Sequence, residues 1–109
     1  MDNTTAVNFL GALAQQSRLA IFRLLVEAGR AGLAVGEIGA DLKIAPATLS
    51  FHLKELLHAG LITERQDGRY IFYAANYDRM NALIGYLTEN CCGRGGSRCT
   101  PQTAKEARR

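Results

Sequence analysis

Three residues of this chain stand out for the chemistry they could do together: Cys91, Cys92 and Cys99, spaced C-C-x6-C in its last fifth. Gly93, Gly95 and Gly96 lie between them and let the backbone fold back, so that three sulfurs can converge. Three soft thiolates, with no histidine after His58, suit a thiophilic ion. A trivalent metalloid with a lone pair, As(III) or Sb(III), takes three sulfurs in a pyramid, whereas structural zinc takes four ligands. Other readings stay open: a reversible disulfide between Cys99 and one of the pair, another thiophilic ion such as Cd(II) or Hg(II), or incidental thiols, with Cys91 merely ending an apolar stripe. An odd number of clustered cysteines is no disulfide framework. At the end of a helix the partial negative charge disfavours a thiolate unless Arg94 and Arg98 compensate. That favours thiols that lose protons on binding metal over a peroxide sensor.

A second constellation lies on the segment Pro46 to His58. On a helical wheel Leu49, Leu53, Leu56 and Leu57 share one stripe, and Ala47, Thr48, Phe51, Lys54, Glu55 and His58 point the other way, with Ser50 and His52 at the two borders. A helix in a DNA major groove needs this division: leucines holding it to a core, short polar or apolar side chains at base edges, and cations at phosphates. Phe51 would suit a thymine methyl. An ordinary surface helix with a stray aromatic explains the wheel equally well. Arg65 and Arg69, on either side of Asp67-Gly68, shift the balance towards DNA, because they could straddle phosphates or enter a minor groove.

The surrounding periodicities say what holds these residues in place. Ala6 to Leu13 is read as a short helix. Ser17 is a candidate cap for a second, in which Leu19, Phe22, Leu25 and Val26 recur at helical spacing up to Gly29. Leu33 to Val35 is a minimal strand and Glu37 to Leu42 a short helix. Lys43-Ile44-Ala45 is a tight connection, and Pro46 opens a helix that runs to Ala59 and stops at Gly60. Strands Leu61 to Gln66 and Arg69 to Ala74 flank Asp67-Gly68, read as a type I′ hairpin turn. Asn76 or Asp78 caps a last helix to about Asn90, with Met80, Leu83, Ile84, Leu87 and Cys91 on one face. The expected fold is mainly α with a small β-hairpin: a winged helix-turn-helix over residues 1–91, followed by a flexible, basic, cysteine-containing tail over 92–109.

Several of these segments resemble one family, in the right order. Leu13-Ala14-Gln15-Gln16-Ser17-Arg18-Leu19-Ala20-Ile21 is similar to the second-helix signature of the ArsR/SmtB metal-responsive repressors. Pro46 to Leu56, with its Ser50-Phe51-His52-Leu53 core, resembles their recognition helix, and Ala59 to Ile62 and Arg65 to Arg69 resemble the entry to their wing and the wing itself. The resemblance spans roughly Phe9 to Leu87. It implies a homodimer built on the first and last helices, here through Leu10, Leu13, Met80, Leu83, Ile84 and Leu87. It also implies double-stranded operator DNA with an inverted repeat, bound through Ala47, Thr48, Ser50, Phe51, His52, Lys54, Arg65 and Arg69, and release when an inducer binds. Departures narrow the inducer site: Val35 to Leu42 has no cysteine, and the last helix has Asp78 but no histidine. The pair Cys91-Cys92 followed by Cys99 instead resembles the subgroup whose arsenic site lies just after the last helix, so As(III) or Sb(III) is the expected inducer.

Composition sets the outer bounds. The chain has 109 residues, 48% of them hydrophobic and 21% charged, enough for one ordinary globular domain. No apolar run approaches the roughly 20 residues that span a bilayer, and the opening residues do not resemble a signal peptide, so no membrane partner and a cytoplasmic location are expected. Two histidines, no glycine-rich phosphate loop and no paired-acid site argue against an enzyme. A winged-helix protein-interaction module with a metal-buffering tail is the rival from another class. The net charge of +3 points to a polyanion, but its location does not. Residues before Arg94 carry eight basic and nine acidic side chains. From Arg94 onward there are five basic residues and one acid, Glu106. DNA recognition must therefore rest on the placement of a few cations in the fold, not on bulk charge.

Overall fold

The computed structural model describes residues 1–93. Helices α1 (Asn3–Leu13) and α2 (Gln16–Ala28) lead into strand β1 (Leu33–Ala34). Helices α3 (Val35–Leu42) and α4 (Pro46–Ala59) form a helix-turn-helix. Strands β2 (Ile62–Asp67) and β3 (Tyr70–Ala75) make the wing, and α5 (Tyr77–Thr88) closes the fold. The sheet has three antiparallel strands in the order β1-β3-β2: the minimal strand expected over Leu33 to Val35 is present as Leu33–Ala34 and joins the hairpin, pairing Leu33 with Tyr73 and Ala34 with Phe72, while Val35 starts α3. Among the described residues no helix is long and apolar enough to cross a membrane.

Local chemistry sets the element ends. The Thr5 N–H donates to Asp2 Oδ1 at 2.8 Å, so α1 begins earlier than its apolar spacing suggests. The expected Ser17 cap is not used. Gln15 caps α2, accepting from the Arg18 N–H at 2.8 Å, and Ser17 falls inside the helix. Glu37 reaches back from α3 to the Ala34 N–H at 2.8 Å, satisfying a donor that alanine cannot serve with its own side chain. Asn76, not Asp78, caps α5, accepting from the Arg79 N–H at 3.2 Å.

The core joins every layer. Phe9 of α1, Ile21 and Leu25 of α2, Ile38 of α3, Leu49 and Leu56 of α4, and Leu61 before β2 are all fully buried. Close approach within the helix-turn-helix depends on Gly39, where a β-carbon would sit 3.3 Å from Leu49 Cδ2. The intervening turn uses Lys43 in the left-handed region (φ 56°), after which Pro46 in the first turn starts α4 on a new axis.

Candidate nucleic-acid interface

Helix α4 has the two faces its sequence implies. Leu49, Leu53 and Leu56 are buried, while Ala47, Thr48, Ser50, Phe51 and Lys54 are exposed. Phe51 is 56% exposed, an unusual position for a phenylalanine; its ring stands edge-on to that of His52, the centroids 5.6 Å apart. His52 is the correction on this helix. Expected at the DNA surface, it is 7% exposed and turned towards α2, where its Nδ1 lies 3.3 Å from an Arg18 guanidinium nitrogen. It backs α4 against α2 and is not part of the helix's exposed face.

The wing turns one residue later than expected. Asp67 pairs with Tyr70, so the two-residue loop is Gly68-Arg69. Among these residues only Gly68 has a positive φ (65°), and glycine at the first central position marks a II′ turn instead of the I′ turn expected for Asp67-Gly68. Arg69 therefore occupies the tip itself. Arg65 stands further back on the sheet and is engaged: its guanidinium lies 4.9 Å from the Phe72 ring centroid, donates to Ala31 O at 3.0 Å and sits 3.6 Å from Asp67.

Between wing, α3 and α4 lies an open cleft of about 730 Å³, whose walls include Val35, Gly36, Ser50, Arg69 and Tyr70. Its mouth joins the exposed face of α4 to the wing tip. Tyr70 is 63% exposed beside Arg69 and belongs to this surface, although the sequence reading left it out. Its place directly after a turn was the one available signal. Tyr73, deeper in the cleft, has its hydroxyl pKa raised above the ordinary 10.0, chiefly by burial and secondarily by Glu64 on the paired strand. It stays neutral, a hydrogen-bonding group without charge.

The residues expected at a subunit interface divide. Leu10, Ile84 and Leu87 are exposed, the last by 57%, and Leu13 and Met80 are half-buried. Leu83 is 6% exposed and belongs to the protomer's own core, which corrects its place as an interface residue. A further apolar cleft of about 440 Å³ between α1, α2 and α5 is lined by Leu13, Leu19, Phe22, Val26, Met80, Leu83 and Ile84.

Helix α5 ends at Thr88, whose hydroxyl donates back to Ile84 O at 2.9 Å, and residues 89–93 form turns. Cys91 is thus exposed and off the helix, not the last member of its apolar stripe. The Cys91 and Cys92 sulfurs stand 3.6 Å apart. Cys99 lies outside the described residues, as does the basic stretch from Arg94. Among the described residues no three His, Cys, Asp or Glu side chains gather as a metal site.

Comparison with known proteins agrees with this architecture. A helix-turn-helix domain family matches residues 13–65. An uncharacterised HTH-type transcriptional regulator of Bacillus subtilis, YceK, is 34% identical over 79% of this chain and 86% of its own length. The arsenical resistance operon repressor of the same organism is 36% identical over 74% of this chain and 73% of its own. The solution structure of the homodimeric winged helix-turn-helix DNA-binding domain of Mb0332 from Mycobacterium bovis superposes with a TM-score of 0.64. It is 25% identical and covers 88% of this chain and 89% of that one. With α4 presented between an apolar anchor and a solvent face, and a wing tipped by Arg69 beside it, the chain belongs to the ArsR/SmtB family of DNA-binding transcriptional regulators, which are not enzymes.

Proposed function

We propose that this protein is a homodimeric repressor that binds an inverted-repeat operator in the cytoplasm and leaves it when As(III) or Sb(III) binds Cys91, Cys92 and Cys99. The observation that carries the DNA-reading half is the outward face of α4, where Ala47, Thr48, Ser50, Phe51 and Lys54 are exposed next to the Arg69 turn. Short side chains at the start of the helix allow the backbone to approach base edges. Lys54 and Arg69 supply phosphate contacts, and Arg65 serves by holding the wing. Two-fold symmetry sets the paired recognition helices about 34–36 Å apart, one turn of DNA.

The dimer reading rests on the exposed Leu10, Ile84 and Leu87 and on the adjoining apolar cleft. The Mycobacterium bovis relative is itself homodimeric. The inducer reading rests on the donor set: two sulfurs 3.6 Å apart directly after α5, and a third cysteine seven residues beyond. Closing that site at the foot of α5 would alter how α1 and α5 meet their partners, and so the spacing of the two α4 helices.

The test is a mobility shift on the DNA upstream of the protein's own gene, in reducing buffer, with and without As(III). Wild type should bind and release. Cys→Ser variants at 91, 92 and 99 should bind DNA as wild type does and resist release. Normal release by all three single variants would remove the cysteine assignment. Metal-to-dimer stoichiometry by native mass spectrometry separates a metalloid from Cd(II), Hg(II) or thiol oxidation.

A further inference from the structure

One guanidinium ties together three helices. Arg18 stands in the first turn of α2, with its backbone position fixed by the Gln15 cap at 2.8 Å. Its Nε donates to Ala12 O, in the last turn of α1, at 2.7 Å. Its NH1 lies 3.3 Å from Nδ1 of His52 in α4. A guanidinium carries donors and no acceptor, so in this hydrogen bond Nδ1 of His52 is the acceptor. His52 is the one buried polar side chain among the described residues, and Arg18 is its partner at Nδ1.

The surroundings show why this tie matters. Beside it, an open groove of about 550 Å³ runs along the surface where α1 meets the end of α4, its walls including Val7, Asn8, Arg18, Glu55 and His58. The hydrogen-bonded chain Ala12 O, Arg18, His52 spans α1 to α4 in two steps. Helix α1 is the dimer-side helix and α4 the DNA-reading one.

We propose that Arg18 is a positioning residue through which a displacement of α1 reaches the recognition helix, so that the Arg18–His52 bond carries the inducer's effect to the DNA surface. This rests on the dimeric, inducer-released reading above. When α1 shifts against its partner, Ala12 O draws the guanidinium with it, the bond to His52 lengthens, and α4 loses the support that fixes its presentation. A guanidinium suits this role because its rigid fork engages both acceptors at once. Lysine could serve one or the other.

The experiment compares DNA affinity with and without As(III) in reducing buffer, for full-length wild type, Arg18→Lys, His52→Leu and His52→Asn. Circular dichroism and sedimentation identify the variants that remain folded dimers, and mass spectrometry reports As(III) stoichiometry. The ratio of the two affinities should fall at least ten-fold in Arg18→Lys and in His52→Leu, with As(III) uptake unchanged. His52→Asn, which keeps an acceptor near the Nδ1 position, should retain most of the wild-type ratio. An unchanged ratio in folded Arg18→Lys overturns the proposal, and so does equal loss in His52→Asn and His52→Leu.

A second readout needs no inducer. The ¹⁵N shift of His52 Nδ1 should move when Leu10→Ala disturbs α1 in an otherwise wild-type chain, and should not move in an Arg18→Lys background. If wild type binds DNA equally with and without As(III), the inducer reading fails. The link is then judged on this shift alone, and no movement in either background overturns it.

Discussion

The guanidinium of Arg65 lies 4.9 Å from the centroid of the Phe72 ring, directly across the β2–β3 ladder. The same group donates to Ala31 O, in the connection between α2 and β1. Arg65 therefore braces the wing against the body of the domain, whereas Arg69, four residues on, occupies the turn. The two arginines look alike in sequence and should behave differently in solution. Arg69→Ala should weaken DNA binding for all sequences alike and reduce the slope of log K against log salt by about one, the mark of one lost phosphate contact. Arg65→Ala should leave that slope unchanged. It should also lower the urea midpoint by the equivalent of about 0.5–1.5 kcal/mol, for a lost cation–π contact and one backbone hydrogen bond. Titrations at four salt concentrations distinguish the two.

The turn frame shows where sequence was legible and where it was not. Helix α4 matched its expected ends because Pro46 and Gly60 punctuate it unambiguously, and the leucine stripe fixed its face. Asp67-Gly68 carried a true turn signal, but only Gly68 needs a positive φ, so Asp67 joined the ladder opposite Tyr70. Gln15 went unread as a cap because glutamine is not among the usual capping residues. His52 stood on the border of its wheel, and periodicity cannot say which border another helix covers. Its partner Arg18 is 34 residues away. The end of α5 had no glycine or proline to announce it, so the apolar stripe was carried past Thr88 to Cys91.

Two glycines with similar positive φ should differ in their tolerance of a side chain. Gly32 (φ 77°) lies against the Tyr73 carbonyl so closely that a β-carbon would collide with backbone that is already paired to Leu33. Gly68 (φ 65°) has open space around it. Gly68→Ala meets only the conformational penalty of this turn position and should cost about 1–3 kcal/mol. Gly32→Ala adds a steric clash within the sheet and should cost about 2–4 kcal/mol in total. Urea denaturation of both variants measures the difference, and equal midpoints would show that the β1–β3 contact is not a constraint.

Acid should release the start of α1. The Asp2 carboxyl pKa lies below its ordinary 3.8, mainly through hydrogen bonding to Thr5. A pKa depressed in the folded state means a contribution that is fully present above the unfolded value and lost as pH falls through the folded one. Asp2→Asn retains an acceptor for the Thr5 N–H but has no charge to titrate. The stability gap between wild type and Asp2→Asn should therefore be larger at pH 7 than at pH 2.5. A gap that does not change between these pH values would exclude a charged cap.

Leu83 and Leu87 lie one helical turn apart on α5 and should report different things. Leu83 is 6% exposed within the core cluster, so Leu83→Ala should destabilise the protomer by about 2–5 kcal/mol. Leu87 is 57% exposed, beside Ile84 at 39%. An aspartate at position 87 should leave the fold of the protomer intact, because little packing is lost there. On the proposed dimer surface it would place a charge where two apolar faces meet, at a cost of several kcal/mol. Sedimentation of Leu87→Asp should then show a monomer at concentrations where wild type is dimeric. DNA affinity should drop by orders of magnitude, since one recognition helix alone reads half a site. A Leu87→Asp protein that sediments as a dimer and binds DNA normally would place the subunit contact away from this end of α5.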